Sequence, residues 1–189
     1  MCIRDSAEQA ARMGAKVILV SAPTSLPIPS GVDFISVDSA VSMQEAVEAC
    51  YNDVNVVIMA AAVSDFRVLH KAEQKIKKME SMTIELVKNP DILQGLGSKK
   101  SHQILVGFAA ETEHVIKYGQ DKVAKKNLDM LVANDVSKSN AGFNVDTNEG
   151  YFLYPDKEPK EMPNMKKSDL ARHILREVID LVANKADIN

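Results

Sequence analysis

VNVVIMAAAVSDF (residues 54–66) and ILVGFAAE (104–111) are the two stretches that decide the fold. Each is an apolar run that ends in small residues and then a carboxylate, Asp65 or Glu111. Such runs are typical of strands buried on both faces of a parallel sheet, which binds ligands beyond the carboxyl ends of its strands. For either strand alone, helix packing and a turn cap explain these residues equally well. The two together favour a ligand site.

Strands and helices alternate on both sides of these stretches. The rhythm is typical of βαβ units and predicts an α/β fold, a Rossmann-like doubly wound parallel sheet. Asn89 and Ser168 are the expected N-caps, and Pro90 suits a first helical position. The turn-rich segment 137–155 predicts a connection into an edge hairpin. Further strands are predicted at 16–21, 32–37 and 129–135, and helices at 7–13, 42–50, 90–97, 113–126 and 168–185.

Composition excludes several classes of protein. The chain has 189 residues, 46% of them apolar, which suits one domain with one core. Its formal net charge of -3 argues against a general nucleic-acid or membrane-surface binder. Cys2 and Cys50 form no CxxC pair, the histidines show no metal-ligand spacing, and no apolar run approaches the roughly 20 residues that span a bilayer. We therefore expect a reduced, cytoplasmic protein without a structural zinc and without a nucleic-acid or membrane partner.

The segment KIKKMESMTIELVKN (75–89) alternates apolar and polar residues, which predicts a protruding β-hairpin arm. Lys75 and Lys77 would share one face of a strand and Lys78 the other. Charged edge strands usually prevent aggregation, and that explanation suffices for Lys77 and Lys78. We expect Lys75 to be functional because it closes the loop that Asp65 opens.

Two further groups of residues suit an anionic ligand. The backbone N–H groups at the start of the helix in KNPDIL (88–93) could bind an anion or the edge of a base, although a well-made helix start explains the same motif. Lys122 and Lys126 lie four apart on one helix face and could converge on phosphates. Lysines near a helix C-terminus are also stabilised by the macrodipole, by roughly 0.3 to 1 kcal/mol, so both interpretations stay open.

Several motifs occur together in the order and spacing of a known family: AAAVSDF, KIKK, KNPDIL, GFAAET, KVAKKNLDMLVANDVS and KKSDLARHIL. From Ala7 to the last helix, the chain resembles the phosphopantothenate-cysteine ligase (phosphopantothenoylcysteine synthetase) domain of coenzyme A biosynthesis. In bacteria that domain is often fused behind a flavin-dependent decarboxylase. No single motif is specific, but the combination is.

The resemblance implies a reaction in which CTP and magnesium (Mg²⁺) activate the carboxylate of 4′-phosphopantothenate as an acyl-cytidylate. The amine of L-cysteine then displaces CMP and forms the amide. It also implies a homodimer in which a second copy completes each site, with Lys75 as the catalytic lysine of the arm that covers the intermediate. The KIKK and KNPDIL forms are the bacterial ones and imply CTP rather than ATP. The implied nucleotide contacts are Met59, Ala60, Ala61, Asp65, Lys75, Pro90, Asp91, Ile92, Leu93, Phe108, Lys122 and Lys126.

The beginning of the chain departs from the family pattern. Residues 1–6 match no part of the family and have neither helical nor strand periodicity. We expect a leader at 1–6 and a single ligase domain at 7–189 that lacks the family's first strand and its Gly, Ser and Asn-containing loop. That strand would lie between the strands at 16–21 and 54–62, so we expect a poor enzyme with an incompletely supported fold. Ala22 also stands where the family usually has glycine.

Two other functions remain as alternatives. One is an inactive fragment that keeps a dimerisation arm and part of a nucleotide pocket. The other is a nicotinamide-dependent Rossmann oxidoreductase, which shares the sheet, although no G-x-G-x-x-G follows a strand.

Overall fold

The computed structural model describes residues 3–137 and 147–186. The helices are α1 (Ile3–Arg12), α2 (Ala40–Cys50), α3 (Ile92–Ser98), α4 (Val115–Lys125) and α5 (Lys167–Ala186). The strands are β1 (Val17–Ser21), β2 (Val32–Ser36), β3 (Val56–Met59), β4 (Phe66–Val68), β5 (Leu86–Lys88), β6 (Ile104–Glu111), β7 (Met130–Asp135), β8 (Thr147–Leu153) and β9 (Lys160–Lys166).

The main sheet has five strands in the order β3-β6-β7-β8-β9. β3, β6 and β7 are parallel, whereas β8 and β9 run antiparallel and form an edge hairpin. β8 lies within the segment 137–155 that the sequence predicts as the connection into this hairpin, and residues 138–146 of that segment lie outside the described residues. β1 and β2 make a separate parallel pair. Within the described residues no strand pairing joins β1 to β3, the two strands between which the family's first strand is expected.

Helices cover both faces of the main sheet, because successive residues of its strands enter two different cores. Leu105 of β6 packs with Leu96 of α3 and Val123 of α4, whereas its neighbour Val106 packs on the other face with Ile174 of α5. Val37, at the end of β2, belongs to the first of these cores. The expected Rossmann-like doubly wound fold is confirmed, with two antiparallel strands added at one edge.

All five described helices begin at other residues than the sequence predicts, α2 at Ala40 rather than Ser42 and α4 at Val115 rather than Glu113. α1 begins at Ile3 rather than Ala7, with Ser6 and Ala7 as its buried residues. Asp91, not Asn89, is the N-cap of α3, because its carboxylate accepts a hydrogen bond from Gln94 N at 3.0 Å. α5 begins at Lys167 directly after β9, so the predicted N-cap Ser168 already lies in its first turn.

The arm is not the hairpin that the alternation of residues 75–89 predicts. The only paired part among the described residues of the arm is its base, where β4 and β5 are antiparallel with Phe66 opposite Lys88. Residues 69–85 form neither helix nor strand, and all of them are exposed. The reason is that alternation stabilises a strand only where one face is buried, and an isolated two-stranded ribbon is marginal in water.

None of the helices in the two described ranges is both long enough and apolar enough to span a membrane.

Candidate functional site

The carboxyl ends of β3 and β6 lie side by side, as the two deciding stretches predict. Met59 is the register partner of Gly107, so Ala60 and Ala61 follow β3 next to the last residues of β6. Ala60 also borders a cavity of about 200 Å³ beyond the end of β1, whose other lining residues include Leu19 and Ser21. Ala60 therefore borders open space where the main sheet and the β1–β2 pair adjoin.

The loop after β3 is fixed to the segment that leads into α3. Asn89 N donates to Asp65 O at 2.7 Å, and Asn89 Nδ2 donates to Ser64 O at 2.8 Å. The guanidinium of Arg67 in turn donates to Asn89 Oδ1 at 3.2 Å. The backbone of Asp65 is thus held in place, while its carboxylate is exposed and bonds to no other described residue.

Lys122 and Lys126 extend from α4 to the predicted ligand edge, but each is bound to a carboxylate. Lys122 Nζ lies 2.5 Å from Glu111 Oε1 at the end of β6. Lys126 Nζ lies 2.9 Å from Asp91 Oδ2 at the N-terminus of α3. The two ammonium groups thus have different partners on neighbouring elements at this edge of the sheet.

The Asp91 carboxylate is held ionised. Burial by itself would raise its pKa, but the hydrogen bonds from Lys126 and from the backbone N–H of Gln94 outweigh burial, and the net effect lowers the pKa below its ordinary value. Because this carboxylate binds the Gln94 N–H, that donor at the start of α3 is not free.

The other predicted contacts do not all expose their side chains to one space. Ile92 and Leu93 are 3% and 7% exposed, so their side chains belong to the core and only their backbones could reach a ligand. Pro90 is half-buried directly before them. Met59 packs on the face covered by α3 and α4, whereas Phe108 packs on the face covered by α5. A ligand that contacts both must lie across the end of the sheet.

Lys75 is not brought to the other site residues by any contact. Its side chain is exposed on the irregular part of the arm, and no hydrogen bond or ion pair joins it to the described residues. Its catalytic role stays a prediction.

The profile of one family, described as "DNA/pantothenate metabolism flavoprotein C-terminal domain", matches residues 5–182. The chain belongs to this family.

Similar proteins support the assignment of the chain to this family. The Bacillus subtilis (strain 168) "Coenzyme A biosynthesis bifunctional protein CoaBC" is 47% identical over 177 residues, which cover 93% of this chain and 44% of that protein. The protein of the same name from Escherichia coli (strain K12) is 43% identical over 178 residues, with 92% and 44% covered. The chain therefore spans less than half the length of these relatives.

Solved structures show the same fold. The crystal structure of the C-terminal domain of CoaBC superposes with a TM-score of 0.81 at 38% identity, covering 96% of this chain and 82% of that one. The DNA/pantothenate metabolism flavoprotein from Streptococcus pneumoniae gives a TM-score of 0.76 at 16% identity, over 94% and 86% of the two chains, and at that identity it supports the fold alone.

Sequence reasoning missed two asparagines of this family domain. Asn134 lies at the end of β7 beside Ala110 of β6, and Asn148 lies in β8. The signal was present in LVAND (131–135), where an amide follows three apolar residues in the position that alanine occupies on β6.

One helical spacing was also overlooked. Tyr118 and Lys122 form a Tyr-x-x-x-Lys pair on α4, a spacing found in some nicotinamide oxidoreductases. In this domain Lys122 is bound to Glu111, and the Tyr118 ring packs edge-on against His114. These contacts do not favour the oxidoreductase alternative.

Carboxylates and histidines do not gather into a metal cage in the described parts of the chain, where no three such side chains or cysteines are placed to hold an ion.

Proposed function

We propose that the chain joins 4′-phosphopantothenate to L-cysteine through an acyl-cytidylate formed from CTP, yielding phosphopantothenoylcysteine for coenzyme A biosynthesis. The name of the relatives, which are 43–47% identical, supports the pathway. The observation that carries the proposal is the edge where β3 and β6 end: Ala60 borders open space there, and Lys122 and Lys126 are bound to Glu111 and Asp91 on the elements of this edge.

The proposed chemistry suits these residues. Nucleotidyl transfer is catalysed mainly by positioning and by neutralising phosphate charge, so no protein nucleophile is required. Ala60 and Ala61 would let the nucleotide approach the backbone closely. Lys122 and Lys126 would exchange a carboxylate for a phosphate, an exchange that costs little because partly exposed ion pairs are worth only about 0 to 1 kcal/mol.

The residues present are compatible with a magnesium ion that arrives with the nucleotide. Such an ion usually binds one or two carboxylates and otherwise phosphate oxygens and water, so a preformed cage of three protein ligands is not needed. Asp65 is the residue that would hold it, because its backbone is fixed while its carboxylate is exposed. When bound, magnesium would neutralise charge on the triphosphate.

The proposal also includes two protein partners, a second copy of the chain and a decarboxylase. Lys75 would act from the arm of a second copy in a homodimer, since no contact within its own described chain brings it to the edge. A fused or associated flavin-dependent decarboxylase would use the product, consistent with relatives that are more than twice as long as the matched segment.

A coupled assay tests the proposal. The chain is incubated with 4′-phosphopantothenate, L-cysteine, magnesium and either CTP or ATP, and CMP or AMP and the amide product are quantified by mass spectrometry. We expect product and CMP in equal amounts, with CTP preferred. CTP binding without product would favour the inactive-fragment alternative, and equal use of ATP would contradict the nucleotide preference.

A further inference from the structure

Two asparagines lie at the end of the main sheet where the nucleotide is proposed to bind. Asn134 of β7 lies beside Ala110 of β6 and opposite Gly150 of β8, the pair at which the β7–β8 ladder ends. Asn148 lies two residues before Gly150 on β8, and the β8–β9 register shifts between these two residues. Asn134 and Asn148 are therefore both within two residues of the Asn134–Gly150 pair.

Each of these asparagines has a buried polar atom without a partner among the described residues. In that part of the chain the acceptor Oδ1 of Asn134 and the donor Nδ2 of Asn148 have no hydrogen bond, and Asn148 is only 1% exposed. Folded proteins rarely leave such atoms unpaired, because burial removes their water partners without replacement. The unpaired acceptor of Asn134 and the unpaired donor of Asn148 are complementary. A single group that both donates and accepts a hydrogen bond would therefore satisfy both atoms.

We propose that Asn134 and Asn148 form a subsite for a donor–acceptor edge of a substrate. The inference rests on the proposed ligase function and assigns two residues to it. Two of the proposed substrates carry such an edge: the N4 amine and N3 of the cytosine in CTP, and the amide of 4′-phosphopantothenate.

The surroundings suit a planar group of this kind. Ala110 is small and exposed beside Asn134, and Gly150 lets β8 approach the backbone of β7 closely, since a Cβ at Gly150 would lie 1.9 Å from Ala133 O. Phe108, two residues before Ala110, is on the same face and only partly buried against the α5 core, so part of its ring remains for stacking.

The test compares Asn134→Leu and Asn148→Leu with the unmodified chain. Calorimetric titration with CTP, UTP and 4′-phosphopantothenate gives Kd, and thermal unfolding gives Tm. We expect each substitution to raise the Kd of one substrate about fivefold to tenfold, as the loss of a hydrogen bond does. Tm should stay level or rise, because the removed groups satisfy no partner among the described residues.

Gln103→Met is the matched control. Gln103 is also 1% exposed, but its side chain is satisfied by Tyr51 O at 3.0 Å and by Ser101 N at 3.0 Å, and it precedes β6 at the opposite end of the sheet. This variant should lower Tm and leave every Kd unchanged. The opposite pattern in the two asparagine variants separates a ligand role from a structural one.

Comparing CTP, UTP and 4′-phosphopantothenate shows whether the donor–acceptor edge belongs to the cytosine base or to the amide. If it is the base, the chain prefers CTP to UTP, and Asn134→Leu abolishes the preference. If it is the amide, only the Kd of 4′-phosphopantothenate rises. Unchanged Kd values for both in the asparagine variants would overturn the subsite and leave a buried water as the partner. Failure of the unmodified chain to bind either substrate would overturn the proposed function together with the subsite.

Discussion

Lys75 differs from Lys122 and Lys126 because its ammonium group has no partner in the described part of its own chain. If it neutralises charge during activation or transfer, Lys75→Ala should lower turnover by a factor of roughly 10² to 10³, as the loss of an electrostatic stabiliser does, with Tm nearly unchanged. Lys71→Ala, on the same exposed segment, is the control and should keep full turnover. Full activity of Lys75→Ala would mean that Lys75 is a solvated surface charge without a catalytic role.

The Asp91–Lys126 pair gives the domain a pH dependence of known sign. The folded-state pKa of Asp91 is lowered below its ordinary value of 3.8, so the pair contributes stability above that pH and loses it as the pH falls further. Lys126→Met should lower the free energy of unfolding by roughly 0 to 1 kcal/mol at pH 7 and by less at pH 3. Urea unfolding at both pH values measures this.

Lys117→Met, on the exposed side of the same helix, is the control for that substitution. It should change stability equally at both pH values. The same pH dependence in the two variants would mean that Lys126 does not set the protonation of Asp91.

Single residues also show where sequence reasoning stops. The spacing of Lys122 and Lys126 predicted that both could converge on phosphates, and that stays a prediction. The structure shows each bound to a carboxylate instead. The partner of Lys126 could not be predicted, because Asp91 is 35 positions away and the ion pair depends on the packing of two helices. Asn134 was missed for a related reason, since only the tertiary structure shows that its Oδ1 is buried without a partner in the described part of the chain.

At the scale of elements, α3 is held against the end of α4 by an unusually close backbone approach. A Cβ at Gly97 would lie 2.0 Å from Lys126 O, and Asn127 Nδ2 donates to Gly97 O at 3.0 Å. Gly97→Ala should therefore separate the two helices, cost roughly 1 to 3 kcal/mol of stability and move Lys126 away from Asp91. Chemical unfolding and the Kd for CTP measure the two effects.

Gly95→Ala is the matched control within α3. A Cβ at Gly95 meets nothing within 4 Å, so this change should stabilise the helix by roughly 0.5 to 1 kcal/mol. If the two alanine variants were equally stable, the close approach at Gly97 would not determine how α3 and α4 pack.

The elements were predictable where their pattern reflects burial. The strand at 104–111 has the bounds of β6 because its residues are free of charged and polar side chains up to Glu111 and most of them are buried. The alternation of residues 75–89 indicated a hairpin, yet only Leu86–Lys88 pair, since no second layer covers the arm. β4 escaped notice because three residues between a loop and an irregular segment carry too little periodicity.

At the scale of the whole molecule, β1–β2 and the five-stranded sheet share one core without a strand pairing between them in the described residues. The family's strand order predicted that β1 and β3 flank the position of the family's first strand. Two expectations stay predictions: the domain boundaries at 1–6 and 7–189, and the stabilisation of the fold by an additional strand. Helix periodicity did not anticipate that α1 begins at Ile3, because α1 is positioned by its packing on α5 and β1.

The arm presents more exposed apolar surface than any other described segment and should be covered by a second copy. Met82, Ile84 and Leu86 are each more than half exposed, and so are Ile76 and Met79. Apolar patches of this kind on an otherwise charged surface usually mark an interface. We therefore expect a homodimer at micromolar concentration in sedimentation velocity. The double substitution Met82→Lys with Ile84→Glu should dissociate it, because it places charges in the contact.

Ile179→Glu is the control for that experiment, since Ile179 is 51% exposed on α5, outside the arm. This variant should sediment as the unmodified dimer does. If Lys75 acts across the interface, dissociation should also lower turnover. Mixing the double variant with Lys75→Ala should not restore turnover, because neither of the two chains has both an intact arm contact and Lys75. A monomeric unmodified chain whose arm is cut by trypsin at the lysines of 71–78 would overturn the dimer and the shared site together.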